Sequence, residues 1–348
     1  MISGVEFNQT YSSMYKIINS EGVHHGYKYV HGLNVDTEPF CAKECSGGIY
    51  FTQQDKIPLW IDIGVFVCSV IIPDDARVYV EKNKFKADKI FLDLDNKITI
   101  AAFYETKDMK YCLSAVRLNG KCLKYIKHPT EQMCMCAIDQ YTCALEYLQN
   151  QTHSVCAYAV KKNISHFKYI KEQSEDICLY VVNTDGLYLE LITNQTEAIC
   201  NAAVEQNGWA LKYAKIQTEE MCRKTVEKNP WTLKYVIHQT EDICKLAVQQ
   251  NGFMLEYVEN QTYEICKLAV KYEGLALKYV INKTDEICNL AIQSDGCAIQ
   301  FIVQTPERCK KAVQQNGYAL AFIINKTEEL CTLAIEQNPL AVEYALDL

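Results

Sequence analysis

The chain has 348 residues, 49% of them apolar and 22% charged, so it is too apolar to be disordered and long enough for more than one compact unit. Its 43 acidic residues outnumber the 35 basic ones without any basic block, which argues against nucleic acid or an anionic membrane as a partner. The longest apolar run, residues 63–72, falls short of a membrane span. Residues 1–10 have neither a cationic start nor an apolar stretch, so the expectation is a protein that is neither secreted nor membrane-spanning.

Residues 1–105 alternate apolar with polar positions and are rich in β-branched side chains. They predict strands at 27–31, 48–52, 65–72, 76–81 and 89–94, and a helix over 9–19. Turns are expected at Asn34-Val35-Asp36, Ser46-Gly47 and Pro73-Asp74-Asp75. The unit reads as a small, β-rich α+β domain. Cys41 and Cys45, near His24, His25 and His31, have the residue types of half a zinc site, but no second pair follows at zinc spacing, so no metal is expected.

Two motifs here go further. Tyr29-Val30-His31-Gly32 and Gly47-Gly48-Ile49-Tyr50-Phe51 resemble the His-Gly and Gly-x-Tyr-Phe strand motifs of ADP-ribosyltransferases of the poly-ADP-ribose polymerase type. The resemblance implies that His31 anchors the ribose and Tyr50 stacks on nicotinamide. Glu81, in Val78-Tyr79-Val80-Glu81, would stabilise the cationic transition state. The stretch from His31 to Tyr50 is short for that family, so a transferase or NAD-binding module is the alternative, and the main expectation assigns no catalytic residue and no cofactor.

From Cys112 onward cysteines recur at 134, 156, 178, 200, 222, 244, 266 and 288, then 309 and 331, a period of 22 broken by one step of 21. This is an internal repeat in about eleven copies. Four residues before each cysteine stands Asp108, Thr130, Thr152, Ser174, Thr196, Thr218, Thr240, Thr262, Thr284, Thr305 or Thr327, a column of helix N-caps. Acidic residues follow in the first turn, and Pro306 comes directly after Thr305. An Asn-Gly, Asp-Gly or Asn-Pro step then caps a second helix carrying pairs such as Leu211 with Tyr213 and Leu255 with Tyr257. Because Pro230 and Pro339 stand where other copies have glycine, that glycine is not required for positive φ.

Two helices of about 8 to 10 residues cannot bury their apolar stripes alone and must stack on neighbouring copies, which predicts an α-solenoid over 106–348 with the cysteine column inside. Buried cysteines then act as small hydrophobes, and successive ones lie too far apart for disulfides. The Asn-x-Thr sequons at Asn150, Asn194, Asn260, Asn282 and Asn325 are by-products of the capping column, and the Tyr/Phe column reads as a packing edge rather than a platform for bases.

The repeat pattern resembles the short αα repeats of an uncharacterised family known from giant DNA viruses of amoebae and some bacteria. That likeness implies a reducing host cytoplasm and carries no activity with it. The functional expectation is a non-catalytic scaffold for protein partners, with a homodimer through the last repeat, whose Leu330, Ile335, Leu340, Val342 and Tyr344 keep the interior pattern.

Overall fold

The computed structural model describes residues 1–24, 26–42, 47–141 and 143–345, and the chain divides into two compact units, Met1–Glu172 and Gln173–Leu348. It is an α+β protein: a sheet region at the N-terminus followed by a series of repeated helices that pack on their neighbours.

The sheet region begins with β1 (Ile2–Ser3), α1 (Gly4–Thr10), β2 (Met14–Ile18), β3 (Val23–His24), β4 (Tyr27–Lys28) and β5 (Gly32–Val35). It continues with β6 (Ile49–Gln53), a 3-10 helix at Gln54–Trp60, β7 (Phe66–Ile71), β8 (Arg77–Val80), β9 (Phe85–Ala87), β10 (Lys89–Leu92), β11 (Ile98–Thr99) and α2 (Ile100–Glu105). The main sheet runs β1-β8-β9-β6-β2-β7-β10-β5, with β11 also on β7, and all its pairings are antiparallel. Only Asp88 separates β9 from β10, so one stretch of chain pairs first with β6 and β8 and then with β7 and β5. The pairing path therefore returns on itself around a core of Phe7, Met14, Ile18, Phe51, Val70, Phe85, Ile90 and Leu92.

Three expectations fail here, each for a physical reason. The helix over 9–19 is replaced by α1, closed by a capping box between Ser3 and Glu6, and by β2. A buried lysine, Lys16, sits on the core-facing register between Met14 and Ile18 and hid the alternation of that strand. Of the strand over 27–31 only β4 forms, and β5 starts after it and covers part of the expected turn. Asn34 looked like a turn residue but is buried, its side chain bonding the main chain of Val30 and Gly32. The short β9 was missed because Lys86 stands fully buried at its centre.

Each repeat pairs a ten-residue α-helix with a 3-10 helix, six residues long in nearly every copy. In the first unit the α-helices are α3 (Met109–Leu118), α4 (Glu131–Gln140) and α5 (His153–Lys162). In the second they are α6 (Glu175–Thr184), α7 (Glu197–Gln206), α8 (Glu219–Lys228), α9 (Glu241–Gln250), α10 (Tyr263–Tyr272), α11 (Asp285–Ser294), α12 (Pro306–Gln315) and α13 (Glu328–Gln337). The second element is thus shorter and tighter than the expected α-helix. Gly252, Leu255 and Val258 are buried at a spacing of three, the period of a 3-10 helix, and the Val258 N–H donates to Leu255 O at 3.2 Å. Asp108 and every threonine of the capping column accept from the third N–H of their helix. Asn251 likewise accepts from Phe253 N at 3.0 Å to open its 3-10 helix.

The step glycines serve close packing. None takes positive φ, but a Cβ on Gly252 would stand 2.6 Å from Ala269 O in the next α-helix.

What joins one repeat to the next is a glutamine that directly precedes the capping threonine. The Gln239 amide donates to Leu233 O (3.5 Å) and to Tyr257 O of the next repeat (2.8 Å), while its Oε1 accepts from Glu259 N (3.0 Å) and from the Cys244 thiol (3.6 Å). Gln151, Gln195, Gln217 and Gln261 repeat this set. A second glutamine, at the end of the α-helix, accepts the N–H of the preceding repeat's step glycine, as Gln206 does from Gly186 (2.7 Å) and Gln140 from Gly120 (3.1 Å). The cysteine column is buried, as expected, and its thiols are also donors to the glutamine ladder.

Within the first unit the sheet region and the first repeat share a polar seam. Tyr111 Oη donates to Gln54 O at 2.5 Å, Asn119 Nδ2 to Pro58 O at 2.9 Å, and Lys121 pairs with Asp62 at 2.8 Å.

Candidate functional site

In the sheet region, β2 and β7 pair over five residues, but β2 and β6 pair only at Met14 with Gln53 and Tyr15 with Thr52. Past that point the two strands part. The start of β6 is drawn elsewhere, because Gly48, at φ +121°, gives its N–H to the Asp36 carboxylate just beyond β5. A cavity of about 630 Å³ opens there, walled by Tyr27, Tyr29, Tyr50 and Trp60 among others, with Lys16, Asp36, Glu38 and Lys84 as its charged residues.

Lys16 bridges the parted strands: its Nζ donates to Tyr50 O at 2.8 Å and stands 4.5 Å from the Tyr29 ring centroid. Burial lowers its amine to about 7, against a smaller upward pull from Cys68, whose own thiol burial pushes up to about 11. Burial also raises the Tyr29 phenol. Lys84 Nζ lies 4.3 Å from the Tyr50 ring centroid and 3.4 Å from the Glu81 carboxylate, and Lys86 Nζ lies 5.5 Å from the Tyr50 ring.

The three residues of the transferase motif do not line one cavity. Tyr50 is in the wall; His31 stands at the surface, 3.3 Å from Asp95 and 3.8 Å from Asp93; Glu81, outside the wall, pairs with the lining Lys84 at the start of the turn closing β8 and β9. Cys45 and His25 of the possible zinc half-site lie outside the described residues. Among the described residues no group of three or more His, Cys, Asp or Glu gathers as a metal site. Sequence reasoning missed Lys16 because its burial depends on three strands that come together only in the folded sheet.

The second unit carries a different candidate. The residue after each step glycine or proline forms a column: Leu187, Trp209, Trp231, Phe253, Leu275, Cys297, Tyr318 and Leu340. Trp209 and Trp231 remain 42% and 43% exposed. Each aromatic member meets the tyrosine of the next repeat edge-on, with centroid separations of 6.0 Å for Trp209–Tyr235, 6.3 Å for Trp231–Tyr257, 6.4 Å for Phe253–Tyr279 and 6.3 Å for Tyr318–Tyr344. Lys234 Nζ lies 5.4 Å from the Trp209 ring. The tyrosines are half-buried and pack repeat to repeat, while the outer members of the pairs form a ridge open to solvent.

Beside Trp209 a groove of about 770 Å³ runs between α7 and α8. At this step Thr225 replaces the alanine found at 203, 247, 269 and 291, its Cγ2 3.2 Å from where a Cβ on Gly208 would be. Lys228 replaces the glutamine that bonds the step glycine elsewhere. This junction is looser than those at Gly186 and Gly252, since a Cβ on Gly208 meets nothing nearer than 3.2 Å against 2.2 Å and 2.6 Å there, and Glu197, Glu205, Glu220, Lys224 and Lys228 line it. Compared with family models, with characterised proteins and with solved structures, the chain matches none.

Proposed function

We propose that the protein is a non-catalytic scaffold whose helical repeats bind a protein partner along the Trp209–Trp231–Phe253 ridge, with the neighbouring α7/α8 groove as an adjoining pocket. The observation that carries this is two half-exposed tryptophans at one-repeat spacing, held rigidly by edge-on tyrosines. Tryptophan and tyrosine dominate protein-binding hot spots, and a rigid aromatic costs little conformational entropy when it is covered. Mixed charge along the groove suits a polar rim around such anchors better than a nucleic-acid backbone. The compartment in this reading is a reducing cytoplasm, that of a host cell if the likeness to the viral repeats reflects origin.

The test is comparative capture from cells with the wild-type chain and with Trp209→Ala/Trp231→Ala. A specific set of proteins should be lost in the variant while its thermal unfolding stays cooperative; the same proteins retained by both would remove the ridge as the binding face. Incubation with labelled NAD tests the transferase alternative in parallel. No transfer is expected, and label that disappears with His31→Ala and Tyr50→Ala would replace the scaffold reading.

A further inference from the structure

Lys16 carries a buried amine with no ion-pair partner among the described residues. It lies on the core-facing register of β2, where an aliphatic residue would pack without desolvating a charge. Its Nζ is held between Tyr50 O and the Tyr29 ring, and both of those residues, like Lys16, line the β2/β6 cavity. No carboxylate among the described residues pairs with it, although Asp36 and Glu38 stand elsewhere in the same wall. The other titratable groups lining this space are Tyr15 on β2, Tyr50 on β6, His24, Tyr27, Tyr29 and Lys84, while Cys68 on β7 is the register partner of Lys16 and Lys86 of β9 lies 5.5 Å from the Tyr50 ring.

We infer that Lys16 is a nucleophilic amine and that the β2/β6 cavity takes a small, planar, aromatic aldehyde or ketone, which Lys16 binds covalently as an imine. The Nζ lone pair attacks the carbonyl carbon, a C–N bond forms, and the carbonyl π pair moves to oxygen to give a carbinolamine. The two protons of the amine leave with that oxygen as water, and C=N remains. No oxidant or reductant is consumed.

Three properties of the site support this chemistry. Because burial holds the amine near 7, about half of it is neutral at neutral pH, whereas an ordinary lysine is almost wholly protonated and unreactive. The rings of Tyr27, Tyr29, Tyr50 and Trp60 supply flat apolar walls, and about 630 Å³ lies within the usual range for a small-molecule site. The carboxylates of Asp36 and Glu38 oppose an anionic ligand and so favour a neutral carbonyl over a phosphate or carboxylate.

The experiment uses the full chain, benzaldehyde as the probe and sodium cyanoborohydride to trap the imine, with benzylated residues located by fragment-ion mass spectrometry. At pH 7 the label on Lys16 should exceed the mean of the surface lysines by at least about tenfold, and its rate should rise to half-maximum near pH 7. Benzyl alcohol, which has the same ring without the carbonyl, should protect Lys16 and leave surface lysines unaffected. Label spread evenly over the lysines, or labelling of Lys16 that begins only at strongly alkaline pH, overturns the nucleophile. Selective labelling that benzyl alcohol leaves unchanged overturns the cavity as the ligand site.

Discussion

Gln239 shows how one side chain can fasten two repeats. An amide offers two donors and a carbonyl that accepts twice, and all four are used, one of them with its own repeat and three with the next. Replacing it with leucine of similar size leaves Tyr257 O and Glu259 N without their partner. Gln239→Leu should therefore cost about 1–3 kcal/mol, read as a lower denaturant midpoint. An unchanged midpoint would mean that water takes over those bonds. Lys107, Lys283 and Lys326 stand in this column instead, and Lys326 Nζ still reaches Tyr344 O at 2.7 Å, the counterpart of the bond from Gln239 to Tyr257.

The buried thiols give a second prediction at this scale. Burial pushes Cys134, Cys178, Cys222 and Cys244 up to about 11. In the unfolded chain the thiols ionise first, near their ordinary value of about 8.5. Between those values the unfolded state binds fewer protons, so the contribution is complete below about pH 8.5 and is lost as pH rises through about 11. The denaturation midpoint should fall across that window, and the fall should be shallower in Cys222→Ala/Cys244→Ala; equal slopes would place the effect on other groups.

At the scale of the element, the 3-10 helix and the step glycine belong together. A 3-10 helix places Gly252, Leu255 and Val258 in line, and that line lies against the next α-helix closely enough to exclude a Cβ at Gly252. Gly252→Ala presses on a main-chain oxygen that cannot step aside, so a loss of about 1–3 kcal/mol is expected. Gly208→Ala meets a threonine methyl at 3.2 Å across the looser α7/α8 junction and should cost less than about 1 kcal/mol. Equal losses at the two sites, measured by thermal melting, would show that the packing difference has no energetic weight. The α-helices were legible from their capping column because N-caps are local chemistry. The second element was legible only as helical, since a spacing of three over six residues is too short a record to separate a 3-10 from an α-helix.

At the scale of the whole molecule, Ile335 differs from its column. Val226, Val248, Val270, Ile292 and Val313 are buried, whereas Ile335 is half-exposed and Leu340 and Val342, nearby in sequence, are 60% and 44% exposed. The homodimer expected from the sequence would cover these apolar side chains with a second copy. Light scattering at micromolar concentration should show a dimer that dissociates in Leu340→Glu/Tyr344→Glu. A monomeric parent chain rules that contact out, and a dimer indifferent to the substitution moves it elsewhere. With a net charge of −8, association should strengthen with salt as like-charge repulsion is screened.

What could be read along the chain was whatever repeats or acts locally: the 22-residue period, the capping threonines, the buried cysteines and the change of texture near residue 105. The glutamine ladder is present as Gln-Thr or Gln-Ser pairs at 151, 173, 195, 217, 239, 261 and 304, yet the sequence assigns it no role, because its partners lie 18 and 20 residues away in the next layer. The sheet was hardest, since Lys16, Asn34 and Lys86 break the apolar alternation that marks a strand, and their burial is set by strands distant in sequence. The cavity and its amine follow from β2 pairing fully with β7 and only briefly with β6, a choice made by non-local hydrogen bonds that no stretch of residues encodes alone.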